Sequence, residues 1–247
     1  PKLQPLVIIS SAIPANNPEL EEALRKKLKI WHRADLLGLL IKEQPSIAVA
    51  GTHGKTTTST LITTLLAKAG EDPSSVIGGL VPHYNSNGHA GAGRMLIAEA
   101  DESDGSLVKF EPEIGVITNL ELDHIDYYSS LSEIIQVMKK FISNSQRTLI
   151  NHDCNILRKN FKPSAWFSIK ETKNIDFAAI PMSIDGCETI ADIYEQGNLI
   201  GTMKIPIPGL HNLSNTIAAY GACRLAGISI KNIQDGLPFL KTPGRRF

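Results

Sequence analysis

Short continuous apolar runs alternate along this chain with longer stretches whose apolar positions recur at helical spacing. "LVIIS" (Leu6–Ser10) predicts a short buried strand. "NPELEEALRKKL" (Asn17–Leu28) predicts a helix, with Pro18 at its first turn and acids near the positive end of its dipole. "RADLLGLLIKEQP" (Arg33–Pro45) predicts a second helix that stops before Pro45. "SIAVA" (Ser46–Ala50) predicts a buried strand, and "TTTSTLITTLLAKAG" (Thr56–Gly70) a helix closed by Gly70. Strands follow over Met95–Ala100, Ile114–Leu120 and Arg147–Asn151, with a helix through "SEIIQVMKKFI" (Ser132–Ile142).

Strand and helix in regular alternation predict an α/β fold, a mostly parallel sheet flanked by helices. The strands are apolar throughout, as required when both sheet faces are covered. From about Asp176 to Gly209 the texture changes. "ADIYEQGNLIGTMKIPIPG" (Ala191–Gly209) predicts an antiparallel hairpin turning at Gln196-Gly197-Asn198, a small antiparallel β portion. A helix returns over Leu213–Gly227.

Composition narrows the class. The chain has 247 residues, 42% of them apolar, enough for a sizeable core. Its 25 basic and 25 acidic residues cancel, so neither nucleic acid nor an acidic membrane is the expected partner; a local cluster can still hold a small polyanion. Three separated cysteines, Cys154, Cys187 and Cys223, predict free thiols in a reducing compartment, each a small buried hydrophobe. No apolar run approaches the roughly 20 residues of a membrane helix, and no secretory signal precedes the first strand. The expectation is a cytoplasmic protein without membrane insertion.

Candidate chemistry gathers after the strands. "VAGTHGKTTTSTL" (Val49–Leu61) runs from a buried strand through glycines into a helix. It is shorter than G-x-x-x-x-G-K-[ST], since only Thr52 and His53 separate Gly51 from Gly54-Lys55-Thr56. The strand-to-helix junction still aims backbone N–H groups and a helix dipole at an anion. Lys55 can reach outer phosphates, Thr56 can place a hydroxyl on Mg²⁺, and Thr57 can donate to a phosphate. The competing reading is a glycine turn with a solvated lysine.

"EADESDGS" (Glu99–Ser106) puts four acids at a strand end, and Glu99 is the first candidate for a Mg²⁺ ligand. Asp101, Glu102 and Asp104 taken singly fit a solvated loop. "TNLELDHIDYY" (Thr118–Tyr128) crowds Asn119, Asp123, His124 and Asp126 at another strand end. Ligands gather at the carboxyl edge of open parallel sheets, which favours a metal or phosphate role for His124. Asn119 and Asp126 are candidates for substrate contact. In "GLHNLSNTIAA" (Gly209–Ala219), Asn212 and Asn215 share a helix face and suit an adenine edge, although asparagine is also a common cap. "GRRF" (Gly244–Phe247) offers Arg245 and Arg246 as phosphate clamps, or simply as solvated cations.

Together these motifs resemble those of the Mur ligases of bacterial peptidoglycan synthesis, whose loop G-T-x-G-K-T-[ST] matches Gly51–Thr57. The resemblance covers nearly the whole chain, in family order. It implies an ATP-dependent ligase that forms an amide bond through an acyl phosphate. It also implies ATP bound by Gly51, Thr52, His53, Gly54, Lys55, Thr56, Thr57, Asn212, Asn215 and Arg246. Thr56 and Glu99 would hold one Mg²⁺ and His124 a second metal. Lys55, Glu99, His124 and Arg246 form the implied catalytic set. His53 and "SDGS" most resemble the branch whose substrates are UDP-N-acetylmuramate and L-alanine. A sibling branch that attaches a tripeptide to the same nucleotide sugar stays open, as does a non-ligase nucleotide switch, although the guanine-reading string N-K-x-D does not occur.

The family's UDP-gripping glycine loop and its third, Rossmann-like domain have no counterpart here. The expectation is therefore a fragment: residues 1–44 as the remnant of an N-terminal domain, and residues 45–247 as a central ATP-binding domain, inactive alone.

Overall fold

The computed structural model describes residues 4–101, 105–121, 128 and 130–244. The chain opens with β1 (Leu6–Ile9), α1 (Pro18–Arg25) and β2 (Lys29–His32). β1 and β2 pair in parallel, with Leu6 opposite Lys29. The Asn17 side chain caps α1 by accepting from the N–H groups of Glu19 and Leu20 at 3.0 and 3.1 Å. Then come α2 (Arg33–Glu43), β3 (Ser46–Ala50), α3 (Lys55–Lys68), β4 (Ser74–Val81), β5 (Ser86–His89), β6 (Leu96–Glu99) and β7 (Ile114–Ile117). They are followed by α4 (Leu131–Asn144), β8 (Arg147–Asn151), α5 (Asn155–Asn160), β9 (Ala165–Ser168), β10 (Phe177–Ile184), β11 (Thr189–Glu195), β12 (Asn198–Ile205), α6 (Leu210–Leu225) and α7 (Ile230–Gly236).

Ten strands form one sheet in the order β12-β11-β10-β9-β8-β7-β3-β6-β4-β5. From β4 to β10 the pairings are parallel; β5 at one edge and β11 and β12 at the other run antiparallel. The expected α/β fold is therefore present. The antiparallel portion continues the main sheet. Its β11–β12 turn uses Gln196 and Gly197 at φ 49° and 79°, the left-handed pair that a tight hairpin requires.

β3 lies mid-sheet, and its side chains alternate between two cores. Ile47 and Val49 pack on the face covered by α3 and α6, with Leu61, Leu65 and Ile217. Ala48 and Ala50 pack on the opposite face, with Met138 and Phe141 of α4. α3 is buried on nearly every side from Thr58 to Leu66, which explains why it shows no polar face. Its buried threonines return hydrogen bonds to their own helix, Thr63 to the Ser59 carbonyl and Thr64 to that of Thr60, at 2.8 and 2.9 Å.

The sequence pattern predicts none of β2, β4, β5, β9, α5 and α7. β2, β5 and β9 are four residues each, and β4 is interrupted by Gly78-Gly79, so periodicity had little to act on. α2, grouped by sequence with the N-terminal unit, buries Ala34, Leu37 and Ile41 in the core of the large sheet. The expected burial of all three cysteines needs correction: Cys223 is buried, but Cys187 is exposed and Cys154 only partly covered. Cys187 follows Gly186 in the β10–β11 turn, where no core reaches it. No helix among the described residues is long and apolar enough to cross a membrane.

Candidate active site

β3 delivers the chain to a short arch, Gly51–Gly54, from which α3 starts at Lys55. Gly51 and Gly54 have φ of 127° and 82°, a region that side chains rarely adopt. A Cβ would also collide with the Thr118 hydroxyl at the first and with the Asn215 amide at the second. Both glycines are therefore fixed by backbone sign and by close neighbours. Beyond them the first N–H groups of α3 lack the carbonyls of a preceding turn, the arrangement that accepts an anion. The Lys55 side chain, 11% exposed, lies back across the arch. Its Nζ donates to the carbonyls of Gly51 at 2.8 Å and Thr52 at 3.3 Å, and stands 4.0 Å from Asp101 Oδ1.

One residue further along α3, Thr56 Oγ1 donates to the Glu99 carboxylate, 3.0 Å from each oxygen. Glu99 ends β6, the strand next to β3. The carboxylate is also fixed from β4, where the Gly78 N–H donates to Oε2 at 2.7 Å. A Cβ on Gly78 would lie 2.7 Å from that oxygen, and one on Gly79 would lie 2.9 Å from Thr56 Cγ2. Neither glycine was singled out from sequence. The available signal was a glycine pair inside an apolar strand, which marks a close approach.

The end of β7 braces the arch. Asn119 receives the His53 N–H on Oδ1 at 2.8 Å and donates Nδ2 to the His53 carbonyl at 2.9 Å. Thr118 Oγ1 donates to the same carbonyl at 2.6 Å. Thr52 Oγ1 accepts from the Glu121 N–H at 2.9 Å. Asn119, read from sequence as a substrate contact, here holds the loop backbone. The His53 ring sits at the rim, 65% exposed, with Nε2 3.8 Å from Glu121 Oε2. The structure thus gives the backbone of His53 a role and leaves its imidazole outside the arch.

Asn212 and Asn215, both 8% exposed, begin α6. Asn215 Oδ1 accepts from Thr58 Oγ1 at 3.2 Å and lies against Gly54; Asn212 Nδ2 donates to the Pro208 carbonyl at 2.7 Å. Asn215 therefore buttresses the arch from the α6 side. The segment leading into Arg245 and Arg246 is tied to β4: Leu80 and Gly244 form an antiparallel bridge, the Gly244 N–H donating to the Leu80 carbonyl at 3.0 Å. That bridge adjoins Gly79 and so Thr56. His124, Asp123, Asp126, Glu102, Asp104, Arg245 and Arg246 lie outside the described residues.

The donors that converge here are hard oxygens: one carboxylate and one hydroxyl, beside a helix start and a lysine. Mg²⁺ takes one or two protein carboxylates and completes its shell with water and phosphate, so this donor set fits it. Among the described residues there is no cluster of three or more His, Cys, Asp or Glu side chains that would form an all-protein metal cage.

A mostly parallel central sheet with a glycine arch and a helix start at its carboxyl edge defines an open α/β domain, the class in which ligands gather at that edge. Residues 49–223 match the Mur ligase middle domain, and the chain belongs to the Mur ligase family. It is 61% identical over 245 residues to the UDP-N-acetylmuramate–L-alanine ligase of Prochlorococcus marinus (strain MIT 9303), covering 99% of this chain and 50% of that one. The chain thus spans about half the length of such relatives. The crystal structure of the UDP-N-acetylmuramate-alanine ligase from Thermotoga maritima superposes with a TM-score of 0.86 at 25% identity, over 98% of this chain and 56% of that chain. A ligase for UDP-N-acetylmuramate and L-alanyl-γ-D-glutamyl-meso-diaminopimelate from Neisseria meningitides reaches 0.84 at 22% identity, over 97% and 80%, and so shares the fold.

Proposed function

We propose that this chain is the ATP-binding part of a cytoplasmic ligase that joins L-alanine to UDP-N-acetylmuramate in peptidoglycan synthesis. The observation that carries the reading is the meeting of Lys55, Thr56 and Glu99 at one point of the sheet's carboxyl edge. High identity to alanine-adding relatives supports the substrate assignment.

In this reading the lactyl carboxylate attacks the γ-phosphorus of ATP, forming a carboxyl–phosphate bond as the bond to ADP breaks. The amine of L-alanine then attacks the acyl carbon, loses a proton, and phosphate leaves. The first step is positioning and charge neutralisation. Lys55 exchanges the carbonyls of Gly51 and Thr52 for phosphate oxygens. The α3 N–H groups and Thr57 hold the β- and γ-phosphates. Thr56 and Glu99 would hold Mg²⁺, which when bound neutralises charge on the phosphate oxygens. We assign His124 to a second metal, Arg246 to the γ-phosphate, Asn212 and Asn215 to the adenine side, and Asp126 to the substrate side, with Asn119 holding the arch through His53. The bridge of Gly244 to Leu80 supports that assignment, since it anchors the chain two residues before Arg246 beside Gly79, which packs on Thr56.

Thermal unfolding of the 247-residue chain tests the site. Ligand at about a hundred times its Kd adds about 2.7 kcal/mol of stability. For a chain of this size that corresponds to a rise in Tm of about 5–10 °C. ATP with Mg²⁺ is expected to produce it, GTP to produce much less, and Lys55→Ala to remove it. An unchanged ATP response in Lys55→Ala would sink the assignment, and an equal GTP response would favour a nucleotide switch.

A further inference from the structure

Away from the arch, α4, α5 and β9 line an open groove of about 680 Å³ that shares no lining residue with the site above. Lys139 projects from α4, Arg158 and Lys159 come from α5, and Lys162 follows in the turn to β9. His152 and Trp166 also line it, their rings edge-on at 5.3 Å between centroids, and Ile142 and Phe161 form an apolar floor.

The charges in this groove are poorly compensated. Lys139, Lys159 and Lys162 form no ion pair with any described residue. Arg158 donates Nη2 to Asn155 Oδ1 at 2.7 Å and reaches Glu171 only at 4.0 Å. That same Glu171 carboxylate stands 3.9 Å from His152 Nδ1. Of the four permanent cations lining the groove, only Arg158 comes within 4.0 Å of a carboxylate among the described residues. Their mutual repulsion is relieved by a bound anion. His152 Nδ1 is itself buried and has no hydrogen-bond partner among the described residues, so the ring presents its remaining edge to the groove.

We propose that this groove binds a phosphate-bearing small molecule, with the lysines and Arg158 around the phosphate and Trp166 beside any attached ring. The volume argues for a small molecule, because such sites run from roughly 300 to 1,000 Å³. Arginine and lysine together supply the forked and point-charge contacts that phosphate takes.

Trp166 is the natural reporter. The chain has two tryptophans, so Trp31→Phe leaves Trp166 as the sole emitter. Pyrophosphate and UDP are titrated separately into that variant while its fluorescence is followed. We expect a saturable change with either probe. A stronger response to UDP means the ring also contacts the groove; equal responses mean the phosphates alone are read. The exposed double substitution Lys159→Gln/Lys162→Gln should weaken binding about tenfold or more, as expected for lost charge-assisted hydrogen bonds. Lys55→Ala should leave it unchanged. No saturable change with either probe overturns the proposal. So does a change that Lys55→Ala removes and the double variant keeps.

Discussion

Gly78 sets how closely the Glu99 carboxylate can be held to Thr56, because its N–H grips Oε2 and its missing Cβ leaves room for that oxygen. A methyl group there would sit within overpacking distance of the carboxylate, and the nearest atom belongs to the proposed metal ligand. The expected effect of Gly78→Ala is a loss of Mg²⁺ affinity of about 10–100-fold, the usual consequence of disturbing a group that orients a ligand. Because only the carboxylate end of Glu99 has to move, the fold itself should lose little stability. Titrating Mg²⁺ against a fixed ATP concentration, read by thermal unfolding, checks it; an unshifted Mg²⁺ midpoint would count against Glu99 as ligand. Lys55, Thr56 and Glu99 were legible because their chemistry shows in their residue types. Gly78 was not, since its contribution is an absent side chain on a strand whose place beside β6 no local pattern reveals. Asn119 shows the reverse: its residue type suggested a ligand contact, and its neighbours give it two hydrogen bonds to the backbone of His53.

α6 connects the site to the sheet's antiparallel edge. Its second turn buttresses Gly54 through Asn215, and its last turn holds β11 through Arg224. Glu195 accepts from Arg224 Nε and from the Tyr220 hydroxyl, each at 2.6 Å. Burial pushes the Glu195 carboxyl up, but hydrogen bonds from Arg224 and Tyr220 outweigh it and hold the group below the usual carboxylate range. A carboxyl lowered by folding contributes fully above its unfolded pKa of about 4.3 and loses that contribution as pH falls through its lower folded value. Glu195→Gln should therefore cost about 1–3 kcal/mol at neutral pH, from charged hydrogen bonds on a mostly buried group. The difference from wild type should shrink as the pH drops below about 4. Urea unfolding of both proteins at pH 7 and pH 3.5 measures this, and a pH-independent difference would mean that packing, not charge, is lost. Both α6 and the β11–β12 hairpin were readable from sequence, through a long apolar stretch and a Gln-Gly-Asn turn. The clamp between them was not, because Glu195 and Arg224 meet only after the chain has crossed the sheet.

At the scale of the whole molecule, the sheet's parallel character was readable from apolar strands alternating with helices. The strand order was not, because β3 reaches its central place only by pairing with β6 and β7, far along the chain. The same limit applies to substrate choice. Alanine-adding and tripeptide-adding ligases share this central fold, so architecture cannot separate them; the distinction rests on sequence identity over half the length of the relatives. In the proposed reading, the arch, the Thr56–Glu99 pair and α6 would supply one wall around the phosphates of ATP. Phosphoryl transfer depends on enclosing those phosphates and excluding water. We therefore expect the 247-residue chain to bind ATP without alanine-dependent phosphate release. Extended to the length of its relatives, it should release phosphate in the presence of UDP-N-acetylmuramate and free L-alanine, and far more slowly with the tripeptide. A site built to take a free amino acid must reject the bulk and charge of the longer amine, and such discrimination appears in kcat/KM. Measuring both amines on the extended protein decides the substrate, since a preference for the tripeptide would move the chain to the sibling branch while leaving the ATP site unchanged. Alanine-dependent turnover by the 247 residues alone would instead show that one wall is enough.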